Sequence, residues 1–157
     1  MGLIQFTPDD MADWTACWQD KATQRGYNFI PPGLEAWSSS QEIEHFPFWV
    51  VAVDRSNGVK LGTLRLSPDE LPDLAIWIYP EHRGKRWGSR AYRLACDYLF
   101  QNGYKVICAG CFPYNTYSMH ILEKTGFMRW PEGDTVETSV FDGTEIMMLG
   151  FRLNRLT

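Results

Sequence analysis

The stretch Leu74-Ala-Ile-Trp-Ile-Tyr-Pro-Glu-His-Arg-Gly-Lys-Arg-Trp-Gly-Ser-Arg-Ala91 constrains this chain more than any other. It reads as an apolar strand, a basic glycine-containing turn and the first turn of a helix. A strand feeding such a turn leaves backbone N–H groups with no intrahelical partner, at the positive end of the helix dipole. Those groups suit a phosphate or pyrophosphate. Arg83, Lys85, Arg86 and Arg90 put four cations around the turn.

The elements on either side fix the fold class. Leu3-Ile-Gln-Phe6 reads as a short strand, and Thr7 as the N-cap of a helix running to about Lys21, with Pro8 in its first turn. Gly26 to Phe46 reads as loop with a short helix or two, because it carries Pro31-Pro-Gly33 and Ser38-Ser-Ser40. Residues 48–53 and 60–66 form a hairpin around Asp54-Arg-Ser-Asn-Gly58. After the strand at 74–78 comes a helix from Ser89 to about Asn102, with Ala91, Leu94, Ala95, Tyr98 and Leu99 on one face. A strand at 105–112, a helix at 116–125 closed by Gly126, and a hairpin pairing 136–141 with 144–153 complete the order. This predicts an α/β (α+β) fold, a mixed and mostly antiparallel sheet of about six or seven strands flanked by helices. It has too many hairpins for a doubly wound parallel sheet. Residues 1–157 read as one domain.

The bulk numbers exclude several classes. The chain is 45% hydrophobic and 22% charged, which argues against disorder. A net charge of −4 and a pI near 5.3 argue against a nucleic-acid binder, so the basic cluster at 83–90 is local and fits a small anionic ligand. There is neither a membrane-length apolar run nor a signal-peptide pattern, so a cytoplasmic protein is expected. The seven Trp fit a cleft or interface as well as a large aromatic core.

Cys108-Ala-Gly-Cys111 spells C-x-x-C, but on a strand residues three apart face opposite ways, and a redox pair requires a helix N-terminus. His45, His82 and His120 are too scattered to complete a metal site. Cys17, Cys96, Cys108 and Cys111 are expected to be ordinary buried thiols, with no metal.

Gly84-Lys-Arg-Trp-Gly88 lacks the spacing of a P-loop, and no acidic residue ends the next strand as a dinucleotide site requires. ATP and NAD are thereby disfavoured. What remains resembles the Gcn5-related N-acetyltransferase (GNAT) superfamily. Arg83-Gly-Lys-Arg-Trp-Gly88 is similar to its acetyl-CoA motif [R/Q]-x-x-G-x-[G/A]. Asn115-Thr-Tyr-Ser-Met-His-Ile-Leu-Glu-Lys-Thr-Gly-Phe127 is similar to its N-x-x-[S/A]-x-x-x-x-x-K-x-G-F, through Asn115, Ser118, Lys124, Gly126 and Phe127. The resemblance covers about residues 45–151, and its style is nearest to the ribosomal-protein alanine acetyltransferases.

The resemblance implies splayed central strands and acetyl-CoA as co-substrate. The acetyl group would pass by direct attack to a primary amine, either a small molecule or a peptide N-terminus. The turn Arg83, Gly84, Lys85, Arg86, Trp87, Gly88, Ser89 would take the pyrophosphate. Trp77 and Ile78 would offer a backbone N–H to the thioester, and Asn115 would meet pantetheine. Asp73 is the candidate base and Ser118 the candidate proton donor. Glu137, Glu145, Tyr114 and Tyr117 are further groups near the reaction. The aromatic-rich segment 26–49, with Trp37, Phe46, Phe48 and Trp49, is expected to border the acceptor, as are Glu35, Glu42, Glu44 and His45. Two departures stand out. Arg86 replaces the motif's first glycine, and Leu122 stands where many members have a proton-donating Tyr. The rival reading is a non-catalytic acyl-CoA sensor or interaction module. A homodimer stays open.

Overall fold

The structure, a computed structural model, describes residues 1–31 and 41–156. Strand β1 (Gly2–Gln5) leads into a short 3-10 turn at Pro8–Asp10 and helix α1 (Met11–Cys17). The helix expected to reach Lys21 stops here. Asp20 begins a second helix, α2 (Lys21–Tyr27), by accepting the Thr23 N–H at 3.0 Å, and Asn28 ends it in the left-handed conformation at φ 52°. Asp20 therefore acts as a second N-cap within a stretch that reads as one helix.

Next come α3 (Gln41–His45), β2 (Phe48–Asp54), β3 (Val59–Leu66) and β4 (Leu74–Ile78). They are followed by α4 (Trp87–Gln101), β5 (Val106–Cys111) and α5 (Thr116–Thr125). The chain closes with the two-residue strand β6 (Met128–Arg129), β7 (Thr135–Thr138) and β8 (Glu145–Asn154). Apart from β6, which is too short to carry a periodic signal, the expected strands are found within a residue or two, except that β7 ends three residues early.

The mixed, mostly antiparallel architecture is as expected, but hydrogen bonding divides the sheet into two halves. One half runs β1-β2-β3-β4, and the other runs β5-β8-β6 with β7 also on β8; every ladder is antiparallel. The halves meet at a single parallel bridge between Asp73 and Cys108, where the Cys108 N–H donates to the Pro72 carbonyl at 2.8 Å. Beyond that point β4 and β5 separate, which is the expected splay.

Strand alternation sorts the apolar residues into two layers. Phe48 and Ala52 of β2, Leu64 and Leu66 of β3 and Leu74 of β4 join one core with α4 and α5. Trp49, Val51 and Val53 of β2 and Trp77 of β4 join the other, with Phe6, Trp14, Cys17 and Trp18. The second core is an aromatic stack: Phe6 lies 4.1 Å from Trp49, and Trp14 meets both Trp49 and Trp77 edge-on. On α4 the buried face is Ala91, Tyr92, Ala95, Cys96 and Leu99. Tyr98, expected on that face, is half exposed.

Candidate active site

The splay gives β4 a free edge. Antiparallel pairing turns the N–H and C=O of alternate residues toward β3, and those of the residues between toward the gap. Tyr79 donates to Leu61 of β3, so 75, 77 and 79 serve β3 while 74, 76 and 78 face the gap. Of the two expected thioester contacts, Ile78 therefore turns its backbone groups toward the gap. The Trp77 backbone faces β3 instead, and its buried side chain belongs to the aromatic core.

Side chains take up much of this edge. Tyr92, on α4, donates to the Leu74 carbonyl at 2.6 Å. Tyr27, at the end of α2, donates to the Ile76 carbonyl, and its hydroxyl accepts the Ile76 N–H at 3.1 Å. Arg83 Nε donates to the Ile78 carbonyl at 3.1 Å. The gap is thus lined by two tyrosine hydroxyls and a guanidinium from three different elements. The two tyrosines have no local sequence signal: Tyr92 and Leu74 lie 18 positions apart, and Tyr27 and Ile76 lie 49.

Beyond β4 a 3-10 turn at Pro80–His82 leads into the basic turn. Gly84 and Arg86 both have positive φ, 78° and 64°, and α4 begins at Trp87. Left-handed residues so close to a helix start gather successive N–H groups into an anion-binding concavity. Arg86 therefore stands at a position whose backbone conformation itself favours glycine, beyond any need to clear a ligand. The side chains of Lys85 and Arg86 are exposed. Trp87 lies under Arg90, whose guanidinium carbon is 4.7 Å from the ring centroid. Ser89 turns its hydroxyl back to the Arg86 carbonyl at 3.4 Å.

Arg83 has a different part from the other cations. Its guanidinium donates to Asp20 at 2.6 Å and to Thr23 at 2.8 Å, besides Ile78. It fastens the turn to α2. Burial alone would raise the Asp20 carboxyl, but the bonds from Arg83 and Thr23 outweigh it and hold the group below its ordinary value.

Gly88 connects the two motifs. A Cβ there would stand 2.6 Å from the Tyr117 hydroxyl and 2.9 Å from Ile121 of α5. Only a glycine lets the first turn of α4 approach α5 so closely. Asn115 caps α5, accepting the Ser118 N–H at 3.1 Å, and its amide nitrogen lies against Gly26 of α2. Ser118 is half-buried one turn into α5. Leu122 is buried in the core with Ile121, so no proton donor is available from that position.

Asp73 lies elsewhere. It forms the bridge at the joined end of β4 and β5, four residues and about 13 Å along the strand from Trp77. Desolvation, with the nearby Asp69 charge, raises its carboxyl. The structure does not bring Asp73 together with the turn, Asn115 and Ser118. Glu137 lies on β7 opposite Ile146 of β8, and its charge adds to the rise that burial causes in the Tyr114 phenol. Glu145 is exposed opposite Thr138. Phe46 and Trp49 pack around Arg65, 4.0 and 5.0 Å from its guanidinium carbon, and Phe48 joins the other core. Trp37 and Glu35 lie outside the described residues.

All four cysteines are free and buried. Burial raises each thiol, to about 12 at Cys96 and about 11 at Cys111, which suppresses thiolate chemistry. Among the described residues no group of three or more His, Cys, Asp or Glu could hold a metal ion, and no helix is long and apolar enough to cross a membrane.

The family model of the GNAT acetyltransferase domain matches residues 1–128. The chain belongs to the GNAT acetyltransferase family. Solved structures of the same fold agree along nearly the whole length. The spermidine N-acetyltransferase of Vibrio cholerae, in complex with CoA and spermine, matches with a TM-score of 0.83 at 18% identity, covering 98% of this chain and 94% of that one. The ribosomal-protein-alanine N-acetyltransferase of Brucella melitensis matches at 0.75 and 17%, covering 99% and 100%. The yncA protein of Salmonella typhimurium, with its cofactor acetyl-CoA, matches at 0.74 and 18%, covering 98% and 93%. No curated protein matches the sequence.

Proposed function

We propose that this GNAT member transfers an acetyl group from acetyl-CoA to a primary amine by direct attack within a ternary complex. The observation that carries the reading is the gap-facing edge of β4, which parts from β5 beyond Asp73, is met by side chains instead of a strand, and leads through Pro80–His82 to the left-handed Gly84–Arg86 turn at the start of α4. Such an edge pairs with the amides of an extended pantetheine arm, while the turn's N–H groups bind the pyrophosphate. Lys85, Arg86 and Arg90 add positive charge there, and Arg83 holds the turn in register through Asp20.

The amine nitrogen attacks the thioester carbonyl carbon, the C–S bond breaks, and CoA leaves as a thiolate that takes up a proton. The gap-facing N–H groups of Ile78 and, once the Tyr27 hydroxyl has left it, of Ile76 stabilise the developing oxyanion. Glu137 accepts the ammonium proton directly or through water. With Leu122 in place of a tyrosine, Ser118 supplies the thiolate proton. The acceptor class, a polyamine-like amine or a peptide N-terminus, is the one named for structural relatives.

Calorimetry with acetyl-CoA tests the first half, and release of free thiol with spermidine and with an alanine-initiated peptide tests the second. Absence of acetyl-CoA binding overturns the proposal. Binding without thiol release across amines supports instead a non-catalytic acyl-CoA-binding domain, the reading favoured by the buried Leu122.

A further inference from the structure

The end of α2 touches three walls of the cleft with four consecutive residues. The Arg25 carbonyl accepts the Tyr114 hydroxyl at 2.8 Å, beyond β5. Gly26 lies against the Asn115 amide. Tyr27 bonds both backbone groups of Ile76 on β4. Asn28 donates to the Thr138 carbonyl at 3.0 Å and accepts the Val140 N–H at 2.9 Å, next to β7. Residues 25–28 therefore strap one half of the sheet to the other, across the end where β4 and β5 part.

Within this strap the Tyr27 hydroxyl occupies a ligand's place. It is an oxygen accepting a gap-facing β4 N–H and, at the same residue, a donor to the carbonyl. Those two bonds are what a strand-like ligand would make. The ring lies parallel to Trp77, 5.0 Å away, and half-buried overall, with its hydroxyl end enclosed. Burial keeps the phenol protonated, well above its ordinary range.

Building on the acetyl-CoA reading, we infer that Tyr27 is a latch on Ile76, an internal stand-in that the acyl-pantetheine arm must displace before the thioester can reach the oxyanion N–H. The strap and arm compete for one pair of backbone groups, so acyl-CoA binds to the unlatched form and its apparent affinity falls by the fraction unlatched. The Asn28 bonds hold the strap closed from the other side.

Tyr27→Phe keeps the ring on Trp77 and removes only the hydroxyl. Acetyl-CoA is expected to bind this variant about fivefold more tightly than the wild type, since the closed state loses bonds that the complex does not use. In stopped-flow mixing, the wild-type binding rate should saturate with acetyl-CoA concentration, and the variant's should saturate at a higher limit. Asn28→Gly, which keeps the left-handed backbone but cuts both bonds to Thr138 and Val140, should shift affinity in the same direction and provides a second route if Tyr27→Phe folds poorly. Equal or weaker affinity in both variants, with an unchanged rate profile, overturns the latch while leaving the acetyl-CoA assignment intact. If neither wild type nor variants bind acetyl-CoA, that assignment falls and the latch falls with it.

Discussion

Arg83 Nη1 donates to Asp20 Oδ2 at 2.6 Å, so the cation that opens the acetyl-CoA motif is spent on the N-cap of α2. The pair joins the phosphate turn to the helix that carries the strap, and each side chain is about 30% exposed (31% and 28%). Asp20→Ala removes a cap and a charge-assisted bond at once. It is expected to cost about 2 kcal/mol, read as a lower midpoint in urea unfolding.

The same pair has a defined pH window. The folded Asp20 carboxyl lies below its ordinary value of 3.8, so its stabilising contribution is complete above that value and is lost as pH falls through the lower folded value. Asp134 behaves likewise. Bonds from Arg129 and the Gly150 N–H hold it at about 2, so its contribution fades between pH 3.8 and about 2. Acid titration of unfolding should show a smaller decline below pH 4 in Asp20→Asn than in the wild type.

Arg86 separates backbone strain from charge. At φ 64° a residue with a Cβ is strained, so Arg86→Gly should stabilise the fold by up to about 1 kcal/mol. Arg86→Ala should give no such gain. Both lose the exposed cation and should weaken acetyl-CoA binding severalfold, more so at low salt, as calorimetry at two ionic strengths would show.

Gly88→Ala places a methyl 2.6 Å from the Tyr117 hydroxyl and 2.9 Å from Ile121. Forcing α4 from α5 should cost about 1–3 kcal/mol and reduce acetyl-CoA affinity. Adding Tyr117→Phe removes the nearer atom and should restore part of the loss, so the double variant should melt above the single one.

Glu137→Gln should lower kcat/KM for amine acetylation at least tenfold while leaving acetyl-CoA affinity unchanged. Asp73→Asn should leave kcat/KM within twofold, because Asp73 lies at the joined end of the strands. The reverse ranking would return the base to Asp73.

The contrast between these two carboxylates shows what a linear reading reaches. Asp73 stands at the start of the central strand, where the family resemblance implies an acidic residue. Its distance from the chemistry depends on which end of β4 meets β5, and no local pattern encodes that. Glu137 comes near Tyr114 only because β7 pairs with β8, which pairs with β5.

The strands other than β6, helix α5 closed by Gly126, and the turn from Arg83 to Ser89 were legible because each is written in local periodicity and glycine chemistry. Tertiary structure alone decided that Arg83 serves Asp20, that Tyr92 and Tyr27 reach the Leu74 and Ile76 backbone, and that the sheet parts after Asp73. Those contacts join residues from 18 to 63 positions apart. Local propensity can specify which backbone groups a strand leaves unpaired, but only packing of the whole chain settles which distant side chains satisfy them.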